Sequence, residues 1–178
     1  MRKTANDELG RLTADQFRTA EKMRVTVVLD NVRSAQNVGA FFRTCDAFAV
    51  ERMVLCGITA VPPNRDIHKT ALGAEQSVEW SRCDTTEEAL RRLREEGCTI
   101  VAVEQVEGAA MLDTFRAVEG VRYALVFGNE VDGVAQPVVD MCDAAIEIPQ
   151  AGTKHSLNVS VSCGVVLWNF FCQIRPKR

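Results

Sequence analysis

A chain of 178 residues that is 47% apolar and 25% charged reads as one ordinary globular domain with a sizeable core. No apolar run reaches bilayer length, the opening residues Met1-Arg2-Lys3-Thr4-Ala5-Asn6-Asp7-Glu8 lack the apolar stretch of a signal peptide, and the net charge of −3 does not suggest a nucleic-acid binder. Seven cysteines without one C-x-x-C pair argue against a zinc site or a disulfide framework, so a reduced, cytoplasmic protein without a membrane segment is expected.

Residues 1–23 read as an N-terminal helical arm, with Leu9, Leu12 and Phe17 at near-helical intervals and Thr13 or Asp15 as a cap; residues 24–178 form the main domain. Residues 1–24 carry a local excess of two positive charges, and Arg175, Lys177 and Arg178 add three at the other end. Either end is suited to touch phosphate, or is simply solvated. Val25–Leu29 is a β-branched run bounded by Asp30-Asn31 and fits a buried strand. Residues 35–48 have helical period, with Val38, Phe41, Phe42, Cys45 and Phe48 on one broad face. Met53–Cys56 is the next strand, closed by Gly57. Pro62–Asp66 reads as loop, His68–Ala74 as a short turn or helix, and Ser77–Trp80 as a brief strand. A helix opened by Thr85 or Thr86 runs through Glu96 and stops at Gly97. Strands follow at Cys98–Val103, Tyr123–Phe127 and Ala144–Ile148, and a final apolar helix spans about 156–172. Strands alternating with helices predict an α/β fold, a mostly parallel sheet with helices on both faces.

Neither a G-x-G-x-x-G fingerprint nor a phosphate-binding P-loop follows any strand. Parallel sheets still bind ligands beyond the carboxyl ends of their strands. Here those ends are Val103-Glu104, Phe127-Gly128-Asn129-Glu130 and Ile148-Pro149-Gln150, a plausible pocket floor or a set of ordinary turns. Asn37, Gly39 and Arg43 open the helix at 35–48. Asn37 has the chemistry of an N-cap, while Arg43, between Phe42 and Cys45, needs either a phosphate or an acidic partner such as Asp46 or Glu130. Ser156 and Asn158 flank Leu157 where the last helix begins. Ser156 reads as its cap, or the pair with the free helix-end N–H groups holds a ribose or an anion. His68 and His155, the only histidines, have no triad or metal spacing and read as structural or surface residues.

In this order and spacing, Asn37-x-Gly39-x-x-x-Arg43, Phe127-Gly128-Asn129-Glu130-x-x-Gly133 and Ile148-Pro149 with Ser156-Leu157-Asn158-Val159-Ser160 resemble the three motifs of the SpoU (TrmH) family of RNA 2′-O-ribose methyltransferases. Lys69–Ala74 is similar to the family's connecting segment, and the resemblance covers residues 24–172. It implies a SPOUT fold whose C-terminal segment threads a loop into a trefoil knot, and a homodimer with the site completed across the interface. It implies S-adenosylmethionine held by Gly128, Ile148 and Leu157, with Val103, Glu104 and Pro149 nearby. The implied acceptor is a ribose 2′-hydroxyl of tRNA or ribosomal RNA. Arg43 is the implied base, although a guanidinium is effectively always protonated and is better suited to positioning phosphate and ribose. Asn37, Glu130, Ser156 and Asn158 are implied to orient Arg43 and the ribose. Gln150 stands where the family often carries Met, and Cys163 where Ala is common. The separate N-terminal RNA-binding domain of some members is not seen in this sequence, which leaves the RNA open. Two alternatives remain at this point: a non-catalytic RNA-binding homodimer on the same fold, and an RNA base methyltransferase.

Overall fold

The β-branched run near the start of the chain becomes the middle of the molecule. In the computed structural model, which describes residues 1–176, β1 (Met23–Asp30) lies between β2 (Val50–Cys56) and β6 (Arg122–Phe127). Outward from β2 comes β3 (Glu79–Cys83); outward from β6 come β4 (Cys98–Val103), β7 (Ala144–Glu147) and β5 (Ala110–Met111). Every strand pairing is parallel, so the expected mostly parallel sheet is wholly parallel.

Such a sheet must be covered on both faces, and the alternation of side chains shows how. Val25, Val27, Leu29, Leu125 and Phe127 point into a core shared with α2 (Ala35–Ala47) and α7 (Val159–Ile174). Val28, Ile100, Ala124 and Val126 point the other way, onto Leu90 and Leu93 of α5 (Thr86–Glu95) and Val138 of α6 (Gln136–Val139). Fully burying one such side chain contributes about 1.5–3 kcal/mol, so these two layers hold the strand ends in register.

One glycine sets the first layer. A Cβ on Gly39 of α2 would lie 2.0 Å from Thr70 Oγ1 and 2.3 Å from the Ile67 carbonyl oxygen, because α3 (Arg65–Ala71) crosses α2 there. Thr70 Oγ1 also donates to the Gln36 carbonyl at 2.9 Å.

Several boundaries differ from the sequence expectation. Arg65 and Asp66 are helical, because Asn64 caps α3 by accepting from the Asp66 and Ile67 amides at 2.9 and 3.2 Å. Ser77 ends α4 (Ala74–Ser77) and its hydroxyl bonds Asp46, so the strand begins at Glu79 and runs to Cys83. In the arm, Thr13 caps α1 (Ala14–Thr19), and of the three apolar residues only Phe17 is buried. The charges of Lys177 and Arg178 lie outside the described residues.

Candidate active site

The carboxyl ends of β4, β6 and β7 open into a cleft of about 520 Å³. Val103, Phe127, Ile146, Ile148 and Leu157 give it apolar walls, and Glu104, Asn129, Glu130, Ser156 and Asn158 supply the polar groups. The loop after β6 is folded tightly on itself. The Asn129 and Gly133 amides bond each other's carbonyls at 3.0 and 3.1 Å, and Asn129 Oδ1 accepts from the Val131 and Asp132 amides at 2.9 Å. A Cβ on Gly128 would lie 1.9 Å from the Gly133 carbonyl carbon, so this glycine is fixed by close backbone approach. Glu104 closes the loop from outside, its two carboxyl oxygens accepting from the Val134 amide at 2.8 Å and the Gln105 amide at 2.9 Å.

From this loop Glu130 reaches the start of α2. Its carboxylate accepts from the Arg33 and Ser34 amides at 3.0 and 3.1 Å and from Asn37 Nδ2 at 2.8 Å. Burial pushes the Glu130 carboxyl upward, but the bonds from Asn37 and the backbone amides outweigh it and hold the group below its ordinary value. Asn37 Oδ1 in turn accepts from Asn158 Nδ2 at 3.2 Å. Asn158 Oδ1 accepts from the Ser160 amide at 2.9 Å, the Ser160 hydroxyl at 2.6 Å and the Val161 amide at 3.4 Å. Four side chains from three separated motifs thus form one hydrogen-bonded chain: Glu130, Asn37, Asn158 and Ser160.

This arrangement corrects two capping expectations. Ser34, not Asn37, caps α2, accepting from the Asn37 amide at 3.2 Å and leaving the Asn37 side chain free for Glu130 and Asn158. Asn158, not Ser156, caps α7, which therefore begins at Val159. An amide oxygen two residues before Ser160 reaches the first free amides, whereas Ser156 stays in the preceding loop, exposed and lining the cleft.

Of the eleven residues expected at the site, eight line the cleft: Val103, Glu104, Gly128, Glu130, Ile148, Ser156, Leu157 and Asn158. Asn37 touches it through Asn158, and Pro149 sits between two lining residues without lining it. Arg43 is not brought in. The buried face of α2 carries Val38, Phe41, Phe42 and Cys45, and Arg43 falls off that stripe, exposed and without an ion pair among the described residues. It lies six residues past Asn37, about 9 Å along the helix. The two acidic partners expected for it are otherwise engaged: Asp46 accepts from Ser77 Oγ at 2.7 Å, and Glu130 is held by Asn37 and two backbone amides. Sequence reasoning leaves out Asn129, Ser160 and Gln105. The first two stand inside the motifs, but Gln105, whose Nε2 donates to the His155 carbonyl at 2.9 Å, carries no signal.

A parallel sheet with a mixed cleft at its strand ends, closed by two helix starts and a glycine-bounded loop, is an α/β architecture found in solved RNA methyltransferase structures. Solved structures share it: an S-adenosylmethionine-bound ribosomal RNA methyltransferase from Sinorhizobium meliloti superposes with a TM-score of 0.76 at 27% identity, over 84% of this chain and 59% of that one. A TrmH/SpoU tRNA-modifying enzyme from A. aeolicus gives 0.78 at 26% identity, over 90% of this chain and 81% of that one. The chain belongs to the SpoU rRNA Methylase family, whose model matches residues 24–168. Its relatives include the 23S rRNA (guanosine-2′-O-)-methyltransferase RlmB of Vibrio cholerae, 32% identical over 164 residues, covering 92% of this chain and 65% of that protein. The protein of that name from Escherichia coli K12 is 34% identical over 142 residues, covering 80% of this chain and 57% of that one. The chain therefore spans less than two thirds of the length of these two curated relatives.

Proposed function

We propose that this protein transfers a methyl group from S-adenosylmethionine to a ribose 2′-hydroxyl of ribosomal or transfer RNA. The observation that carries the reading is the hydrogen-bonded chain from Glu130 through Asn37 and Asn158 to Ser160, which ties all three motifs to one cleft. The cleft fits the cofactor. Its volume of about 520 Å³ lies in the range of small-molecule sites, its apolar walls suit a purine, and Gly128 leaves backbone bare beside it. Val103, Glu104, Gly128, Ile148, Pro149 and Leu157 would hold it, and once bound it supplies an electrophilic methyl group on a sulfonium.

The chain's own groups then have defined tasks. Glu130 fixes Asn37, and Asn37 fixes Asn158, so an amide beside Ser156 is oriented before substrate arrives. Preorganised dipoles of this kind stabilise developing charge without reorganising. Arg43 offers an exposed guanidinium without an ion pair among the described residues, suited to a forked hydrogen bond to RNA phosphate rather than to removing a proton.

The same reading takes the protein as a homodimer in the cytoplasm, with the C-terminal segment threaded as a trefoil knot. Support for the dimer comes from α7, which exposes Val161, Val165 and Trp168 on one face at 51%, 39% and 56%. A second copy would cover that stripe, one turn beyond Asn158. Support for the knot comes from the path of the chain, which leaves β6, reaches β7 beyond β4, and returns so that Trp168 and Phe171 of α7 pack on Phe48.

The test is methyl transfer from labelled S-adenosylmethionine to pooled tRNA and ribosomal RNA, with an alkali-resistant dinucleotide as product. Arg43→Ala should lower transfer by about a hundredfold while calorimetric cofactor binding stays within a factor of about two. Equal loss of both would make Arg43 structural. An alkali-labile product would mean base methylation, and cofactor binding without transfer to any RNA would favour a non-catalytic binder.

A further inference from the structure

A second cavity, of about 600 Å³, lies beside α3 and α4 and shares no lining residue with the methyl-transfer cleft. Pro62, Pro63 and Trp80 wall it, Arg65 and His68 stand at it, and Glu75 lines it from the start of α4. The Trp80 ring is held edge-on against the core residue Phe42, with centroids 6.5 Å apart and planes at 86°. It is therefore a fixed aromatic wall rather than a loose surface ring.

Glu75 is the unusual member. Its side chain is only 9% exposed, yet His68, itself 66% exposed, is the only side chain bonded to it among the described residues, Nδ1 to Oε1 at 2.6 Å. The other oxygen, Oε2, is buried and accepts no hydrogen bond of usable geometry. Burial pushes this carboxyl upward, but His68 and the nearby amides of Glu75 and Gly73 outweigh that and hold it below its ordinary value, so it remains an acceptor at neutral pH. A buried acceptor left unpaired is costly, and Glu75, the residue that carries it, lines this cavity beneath the displaceable His68 side chain. Arg65 is exposed and makes no ion pair among the described residues.

We propose that this cavity takes a guanine nucleotide of single-stranded RNA, its base against Trp80, its Watson–Crick edge on Glu75 in place of His68, and its phosphate on Arg65. Guanine is favoured because N1–H and N2–H₂ are adjacent donors that match a carboxylate. Adenine and cytosine offer one amine beside an acceptor, and the uracil N–H is flanked by two carbonyls. Unstacked bases of RNA loops are bound in this manner, on aromatic rings and through their Watson–Crick edges. The site is also coupled to the proposed RNA face, because α3 packs on α2 at Gly39, and α2 carries Asn37 and Arg43. The inference rests on the proposed RNA reading.

Of the two tryptophans, Trp168 is replaced in a Trp168→Phe full-length protein, so that fluorescence reports Trp80 alone. With S-adenosylmethionine saturating, the protein is titrated with guanosine 5′-monophosphate, uridine 5′-monophosphate, guanosine, and short single-stranded oligoribonucleotides with or without one guanosine. Guanosine-bearing probes should quench Trp80 and bind about tenfold better than uridine ones, the margin of one good base contact. The oligonucleotide should bind more tightly than the monophosphate; the reverse order would point to a free nucleotide as the occupant and overturn the RNA assignment. Glu75→Gln should erase the base preference, and Arg65→Ala should weaken the nucleotide while leaving guanosine unchanged. No quenching by any probe, or a base preference that survives Glu75→Gln, overturns the proposal. The methylation assay is a separate readout: transfer with no Trp80 response sinks this site alone, and a Trp80 response without transfer sinks the enzymatic reading.

Discussion

Two carboxyl groups at strand ends, Asp30 and Glu130, use the same chemistry for different ends. Each collects three hydrogen bonds from outside itself. Asp30, the last residue of β1, accepts from Asn31 Nδ2 at 2.9 Å, Thr86 Oγ1 at 2.6 Å and the Ala135 amide at 3.1 Å. Glu130 accepts from the Arg33 and Ser34 amides and from Asn37. What separates them is water. Asp30 is 1% exposed, whereas Glu130 is an exposed residue on the cleft wall. A carboxyl sealed from solvent can serve only the fold, tying β1 to the start of α5 and to the loop before α6. One on a cleft wall fixes its neighbours and still presents them to a ligand.

The contrast can be broken first on the buried side. In Asp30→Asn one oxygen becomes an amide nitrogen facing a donor, which leaves a buried group unsatisfied and should destabilise the protein by about 2–3 kcal/mol. The urea midpoint should fall at constant slope, with cofactor binding unaltered once conditions favour the folded state. A loss near zero would mean that Asp30 is not a strut of the fold.

A smaller effect sharpens the open side. Asn158→Ala removes the α7 cap and should cost about 1 kcal/mol, while Asn158→Asp keeps the cap acceptor but loses the Nδ2 donor to Asn37. If the Glu130–Asn37–Asn158 chain matters to transfer, both variants should lose turnover although only the alanine loses stability. Turnover restored by aspartate would reduce Asn158 to a helix cap.

The smallest effect is in pH. Because the Glu130 carboxyl is held below its ordinary value, its contribution to stability is present above pH about 4.5 and is lost as pH falls through the folded-state value. Melting temperatures of the parent and of Glu130→Gln, measured from pH 7 down to pH 3, should therefore differ most at pH 7 and converge in acid. A gap that widens in acid would reverse the sign of the shift.

Much of the fold is legible in the residues alone. The β-branched runs at Val25–Leu29 and Cys98–Val103 have no other stable reading than buried strands, and both are. Ser34 and Asn158 as caps are harder to see, because Ser, Asn and Thr near a helix start compete on local terms that differ by tenths of a kcal/mol, and tertiary partners choose between them. The edge strands β3 and β5 are blurred or missed for a related reason. Glu79, Ser81 and Arg82 face solvent, and both residues of β5 are exposed, so no apolar alternation announces them.

The sequence by itself determined the alternation of strands and helices and the three motifs, because each rests on side chains within a few residues of one another. Only the tertiary structure decided that Asn37 meets Glu130 across 93 residues and Asn158 across 121, that Arg43 faces water, and that Glu75 is buried beside Trp80. Those facts follow from which strands pair and which helix crosses which. That is a balance of burial over the whole sheet, which no local spacing contains.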